Sequence, residues 1–366
     1  MPKDKLLIPG PVEVDFEVLE AMGSQVKPHY GPDWTRDYKE TLEMLRDVFG
    51  TRGDIFLMAG SGTVSIDACL GSAFATGDTI LVGENGFFGE RMIAIAQGYG
   101  LNVIPVTAEW GKPLDPADFE KAYKEHPDAR GAAVVHLETS TTILNPVDKI
   151  GPVIRAHNGL FFVDAVSSLG SLVFKMDEWC IDLCASATQK CLGAPPGLAP
   201  TAVGKRAWEA MDARPNKGHG WYGDLTVWRW YAQNWGDWHP TPVTMPTNNV
   251  YALRVGLTQL AEEGITTRVQ RYRKLALHLR DGLRRLGWVP FTSDEEMSAV
   301  LTAALCPSGI ESGPVVAYIA EKFHIKISAG LGALKPRMIR VGTMSPITSI
   351  EDIDQLLAAL ASYKPS

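Results

Sequence analysis

Between residues 54 and 190 short apolar runs alternate with amphipathic stretches. The runs IFLM (55–58), TILVG (79–83), NVIPV (102–106), AAVVHL (132–137), LFFVD (160–164) and IDLCAS (181–186) read as buried strands. Between the first five lie VSIDACLGSAFA, ERMIAIAQGYG, DPADFEKAYKEH and DKIGPVIRAHN, which predict helices with Asp115 and Asp148 as N-caps. That rhythm predicts βαβ units, a mostly parallel sheet and an α/β fold. After residue 245 the pattern changes to helices over 248–263 and 266–286, strands near 299–305, 325–329 and 338–342, and a last helix over 349–363. The basic run from Arg268 to Arg285 is periodic with Leu275, Leu279, Leu283 and Leu286 and reads as a solvated helix face. The Pro-rich stretch HPTPVTMP (239–246) marks a boundary, giving an N-terminal segment 1–15, a large domain 16–245 and a smaller α+β domain 246–366.

Composition narrows the function classes. With 366 residues, 45% hydrophobic and 21% charged, the chain has enough apolar surface for two cores, and a net charge of −7 argues against nucleic acid or an anionic membrane as partner. No signal peptide or membrane-spanning run is visible, so the cytoplasm is the expected compartment. Cys69, Cys180, Cys184, Cys191 and Cys306 are odd in number and scattered, which fits reduced thiols. Cys180 and Cys184 lack a second pair at metal-site spacing, so no metal is expected.

Parallel sheets bind ligands beyond the carboxyl ends of their strands, and there the chain reads AGSGT, GENGFFG, ETSTT, DAVSS and ATQK. The first loop places Ser61, Gly62 and Thr63 at a helix entry, either a phosphate cup or a plain N-cap turn. A dinucleotide fingerprint fails because Ser65 stands where its last glycine belongs. Asp164 ends a buried strand; it either meets a cationic ligand group or caps the turn Val166–Ser168. Lys190 follows 26 residues later among small and turn-forming residues. There it is either a solvated surface group or a desolvated, nucleophilic amine suited to Schiff-base chemistry. Arg340, in the strand of RMIRVG, offers a planar fork for a carboxylate or an interdomain ion pair, while Arg337 faces solvent. Phosphate cup, ring-nitrogen carboxylate, Schiff-base lysine and carboxylate-gripping arginine together make the parts of a pyridoxal 5'-phosphate enzyme.

With those residues in view, the chain resembles the class V, fold-type I aminotransferases of the alanine/serine–glyoxylate group. The likeness runs from IPGP (8–11) through AGSGT, NGFFGER (85–91), HLETST (136–141), VDAVSSLG (163–170) and TQKCLGAPPGLA (188–199) to SAGLGALKPRMIRVG (328–342). The resemblance implies a Schiff-base bond at Lys190 and pairing of Asp164 with the pyridine nitrogen. It implies phosphate contacts from Ser61, Gly62, Thr63 and Gln189, a ring-hydroxyl contact from Thr139, Val166 beneath the ring and Phe88 stacked on it. Arg340 takes the position of the substrate-carboxylate arginine, with Gly10 and Tyr30 also on the substrate side. It further implies a homodimer with active sites at the subunit interface, and transfer of an amino group from alanine or serine to glyoxylate or pyruvate.

The chain departs from the family pattern in places. Thr142 replaces a glycine, Asp237 and Trp238 stand where a tyrosine is common, and HPTPV leaves Thr241 as the stand-in for a threonine that reaches the partner's phosphate. KCLGAPPGL and Tyr30 also resemble pyridoxamine–pyruvate aminotransferase, but the cup Ser61-Gly62-Thr63 and Leu331 in place of a second arginine favour the phosphorylated cofactor. Three rivals fit less well. A cysteine desulfurase-like enzyme would want a histidine at Gln189 and a mobile cysteine, whereas Cys306 reads as strand-embedded. A nicotinamide-dependent dehydrogenase lacks its fingerprint, and a scaffold would use the Trp-dense stretch 221–238.

Overall fold

The computed structural model describes residues 4–214 and 220–365. Its large sheet runs in the order Asp54–Gly60, Gly197–Val203, Leu183–Ala185, Leu160–Asp164, Gly131–Val135, Thr79–Glu84 and Asn102–Thr107. All six strand runs read from the pattern are present; the five from Thr79–Glu84 to Leu183–Ala185 pair in parallel, whereas Asp54–Gly60, at the sheet edge, pairs with an antiparallel neighbour. Gly197–Val203 was not anticipated: it inserts antiparallel between Asp54–Gly60 and Leu183–Ala185. Pro200 lies inside that strand, and a proline is a poor advertisement for one. The helix Gly62–Ala73 is apolar nearly all round and buries nine residues, so it fills the space over the sheet instead of skirting it.

A second, four-stranded antiparallel sheet orders Val289–Pro290, Leu301–Leu305, Met338–Gly342 and Ser328–Ala329. The expected strand 325–329 is split: Ile325–Lys326 pairs with Lys5–Leu6 near the N-terminus, and Ser328–Ala329 turns to Met338–Gly342. The N-terminal segment thereby crosses the molecule. Gly342 donates its N–H to the Leu7 carbonyl at 2.9 Å, and Val12 donates to the Gln189 carbonyl at 3.0 Å. The long helix Thr247–Glu263 buries Val250, Leu253 and Leu257 in the core of the large sheet, while Ile265–Arg285 packs Tyr272, Leu275, Leu279 and Leu283 into the core of the small one. No described helix is long and apolar enough to cross a membrane.

Three expectations need correction. Asp148 is not an N-cap: the helix Val147–Ala156 starts earlier, from Pro146, because Val147 is drawn into the core, which leaves Asp148 in the first turn. The run Arg268–Arg285 is not a uniformly solvated face. Arg268 and Arg280 are each only 2% exposed. Arg268 donates to Glu263 at 2.6 Å, though its Nη1 stays without a partner, and Arg280 donates to the Ser298 carbonyl and to Thr302, so their burial is largely offset. Cys306 lies one residue beyond the strand Leu301–Leu305.

His136, between the strands Gly131–Val135 and Leu137–Glu138, packs edge-on to Phe174 and Trp179 and is 3% exposed. Burial lowers its pKa from 6.5 to about 3. Between those values the unfolded chain binds a proton that the folded one refuses, so stability falls as pH drops, by about 1.4 kcal/mol per pH unit. His136→Leu is expected to move the acid-unfolding midpoint to lower pH, as read by circular dichroism. An unchanged midpoint would show that His136 is not the group that titrates.

Candidate active site

Five loops at the carboxyl edge of the large sheet close around a cavity of about 240 Å³ lined by Ser61, Gly62, Thr63, Phe88, Thr139, Asp164, Val166, Gln189 and Lys190, among others. These are nine of the residues expected from the sequence. The strand Asp54–Gly60 ends at Gly60 with φ 151°, and Ser61 opens the helix Gly62–Ala73 without capping it through its side chain. The first N–H groups of that helix can therefore receive an anion. A Cβ on Gly62 would lie 2.6 Å from Val166 Cγ2 and 3.2 Å from the Ala187 Cβ, so only glycine lets the loop seat against the strand ends. Gln189 offers a buried amide oxygen with no hydrogen-bond partner, a group in want of a ligand.

Asp164 ends the central strand and is 6% exposed. Its Oδ1 accepts from the Val166 N–H at 2.8 Å, so the turn-capping reading holds; the carboxylate also lines the cavity, so the ligand reading stays open. Burial raises its pKa to about 6, against the opposite pull of the Val166 N–H, Lys190 and Arg91. Lys190 is not a solvated surface group. Burial lowers its pKa to about 8, with Cys191 and Asp164 pulling the other way. Its Nζ donates to the Pro9 carbonyl. A Cβ on Gly10 would fall 2.6 Å from that nitrogen, so the N-terminal segment touches the lysine through bare backbone.

Arg340 stands in the middle of the strand Met338–Gly342, 6% exposed. Its Nε donates to the Ala329 carbonyl at 3.0 Å and its Nη1 to the Thr139 carbonyl at 2.9 Å. Among the described residues it makes no ion pair, and Nη2 has no partner. Burial lowers its pKa to about 10, partly offset by the charge of Glu138. The ion pair expected as one reading of Arg340 is thus not made among the described residues; its bonds go to carbonyls, which leaves the guanidinium charge for a ligand.

Two further residues were not singled out from the sequence. Glu138 is fully buried and accepts four hydrogen bonds: from Ser140 N and Oγ at 2.9 and 2.6 Å, and from Phe88 N and Gly89 N at 3.0 Å each. It fastens the start of the helix Phe87–Gly98 to the loop that carries Thr139. Burial raises its pKa despite those donors. A carboxylate among hydroxyls in ETSTT was the available signal. The other is Arg91, whose guanidinium lies over the rings of Phe87 and Phe88.

Two expected residues lie elsewhere. Tyr30 is 48% exposed and packs with His29 and Trp238, outside the cavity. Thr241 is buried, with its hydroxyl donating to the Val243 carbonyl of the same chain at 3.0 Å. Thr142 adopts φ 66°, in the left-handed region that glycine enters freely.

The model of the Aminotransferase class-V family matches residues 16–356. The chain belongs to the class-V aminotransferases. An aminotransferase of Methanocaldococcus jannaschii is 37% identical over 342 residues, covering 93% of this chain and 88% of that protein. The (S)-ureidoglycine–glyoxylate transaminase of Bacillus subtilis is 33% identical over 378 residues, covering 98% and 90%. The crystal structure of an alanine–glyoxylate aminotransferase from Nostoc sp. superposes with a TM-score of 0.94 at 32% identity, over 99% of this chain and 95% of that one. As a class-V aminotransferase, this chain is a pyridoxal-phosphate-dependent enzyme of fold type I that transfers amino groups.

Proposed function

We propose that this class-V aminotransferase moves the amino group of a small amino acid, alanine or serine, to a 2-oxo acid, glyoxylate or pyruvate. The observation that carries the reading is the meeting of Lys190 and Asp164 in one pocket beside a free helix N-terminus, with Arg340 bonded to the carbonyl of the pocket-lining Thr139. The glyoxylate-using relatives support the acceptor. The residues present fit pyridoxal phosphate: the uncapped Gly62 and Thr63 N–H groups suit its phosphate, to which the side-chain NH2 of the pocket-lining Gln189 would add a donor, and the Asp164 carboxylate suits its ring nitrogen. Thr139 and Val166 would flank the ring, with Phe88 stacked on it.

When bound, the cofactor supplies an electron sink for the bond-breaking at the substrate's α-carbon. Asp164 holds the proton on the ring nitrogen by staying ionised beside it. Arg340 orients the substrate through its carboxylate, using the donors that Ala329 and Thr139 leave free. Lys190 Nζ, neutral above about pH 8, takes the proton from the α-carbon and returns it at the cofactor side; the Pro9 carbonyl gives this nitrogen a fixed resting place.

A homodimer is part of the same reading. Trp221, Trp230, Trp235 and Trp238 are between 42% and 53% exposed, and Tyr30 adjoins them through Trp238, an aromatic surface suited to a second copy. Tyr30 and Thr241 would act across that contact.

Incubating the holoenzyme with glyoxylate and alanine or serine is expected to yield glycine with pyruvate or hydroxypyruvate, respectively. Absence of glycine with both donors, together with absence of alanine when serine is offered with pyruvate, would overturn the substrate class. Arg340→Lys is expected to raise KM for both donor and acceptor by roughly 10- to 100-fold, since a lysine keeps the charge and loses the fork. Steady-state kinetics showing unchanged KM would remove Arg340 from the carboxylate site.

A further inference from the structure

Arg91 stands one turn into the helix Phe87–Gly98 and is exposed. It lines the same cavity as Asp164 and Lys190. Its guanidinium carbon sits 4.8 Å from the Phe88 ring centroid and 5.1 Å from that of Phe87. Among the described residues it has no hydrogen bond and no ion pair. The other two cations of the site are tethered to carbonyls: Lys190 to that of Pro9, Arg340 to those of Ala329 and Thr139. The two arginines also divide the pocket between them. Arg91 lines the cavity together with Asp164, whereas Arg340 is absent from that lining and reaches it through the Thr139 carbonyl, so Arg91 belongs to the Asp164 end and not to the carboxylate end.

A cation held at that end without a direct bond has a specific use. A salt bridge to Asp164 would occupy the carboxylate oxygens that a ring nitrogen needs. A guanidinium parked on aromatic faces contributes its charge and leaves those oxygens free. We propose that Arg91 is a positioning residue for the cofactor ring: Phe87 and Phe88 hold its guanidinium so that its charge keeps the buried Asp164 ionised and ready to receive the ring nitrogen. This rests on the pyridoxal phosphate reading of the site.

The test titrates cofactor-free protein with pyridoxal phosphate, followed by tryptophan fluorescence, and needs no turnover. Arg91→Met, which keeps the length and the contact with the rings, is expected to weaken binding about tenfold, the effect of one nearby opposite charge on a buried carboxylate. Arg91→Lys restores most of the loss. In an Asp164→Asn background, Arg91→Met changes affinity by less than about twofold, because the charge it served is gone. Equal weakening in both backgrounds, or undiminished binding by Arg91→Met, overturns the proposal. Wild-type protein that takes up no pyridoxal phosphate overturns the cofactor reading itself. Uptake by the wild type, with unchanged uptake by Arg91→Met, overturns only the role of Arg91.

Discussion

Lys190→Ala is expected to lose turnover by about three orders of magnitude or more, the sum of losing a covalent partner and a proton carrier at one atom. It is also expected to lose the covalent cofactor: borohydride treatment followed by mass spectrometry should find a phosphopyridoxyl group, the cofactor less the oxygen lost as water and with the imine reduced, on Lys190 of the wild type and on no residue of the variant. The phosphate cup is untouched by the substitution, so the variant should still bind pyridoxal phosphate reversibly, which separates loss of chemistry from loss of the pocket. The pH dependence follows from burial. An amine whose pKa is lowered to about 8 is largely neutral at pH 8.5, where an ordinary lysine is still an ammonium ion. Covalent capture of the aldehyde by cofactor-free protein should therefore rise through pH 8 and level off near pH 9. Full transaminase activity in Lys190→Ala would sink the assignment, and capture that keeps rising toward pH 10.5 would show that the lysine is solvated.

What the sequence made legible follows from which forces are local. The parallel strands announced themselves because both of their faces are buried, so LFFVD and its neighbours read as continuous apolar runs. Gly197–Val203 did not, since GLAPTAV mixes a turn-former and a proline into a strand with one partner, Asp54–Gly60, far away in sequence. Arg268 was misread although the signal was present. It falls in register with Tyr272, Leu275, Leu279 and Leu283, on the buried stripe of its helix. Lys190, Asp164 and the Gly62 loop were legible because strand ends of a parallel sheet converge by topology. Glu138 and Arg91 were not, because their roles come from what faces them: four donors in one case, two aromatic rings in the other. Neither partner set is encoded by spacing.

Asp164→Asn is expected to lower kcat by roughly 10²- to 10³-fold while making the cofactor-free protein more stable. Both effects have one cause. The Asp164 carboxylate is buried, its pKa raised from 3.8 to about 6. The folded protein therefore holds a proton that the unfolded chain has released between those values. The sign is opposite to that of His136: stability from this group is complete below pH 3.8 and is lost as pH rises through 6, by roughly 2–3 kcal/mol in all. At pH 7 the enzyme carries an ionised group that its own interior disfavours. Asparagine keeps the shape and can still accept the Val166 N–H, so it removes the burial penalty and leaves the turn intact. What it cannot do is stabilise a protonated ring nitrogen, and the electron sink weakens accordingly. Thermal melts of the two cofactor-free proteins should converge near pH 4 and separate at pH 7 with the variant higher, while single-turnover kinetics show the slowed proton transfer. If the variant were both fast and less stable, Asp164 would be a structural cap only, and the ring-nitrogen role would fall. A carboxylate that costs stability without its ligand is one the fold has reason to keep only for the ligand.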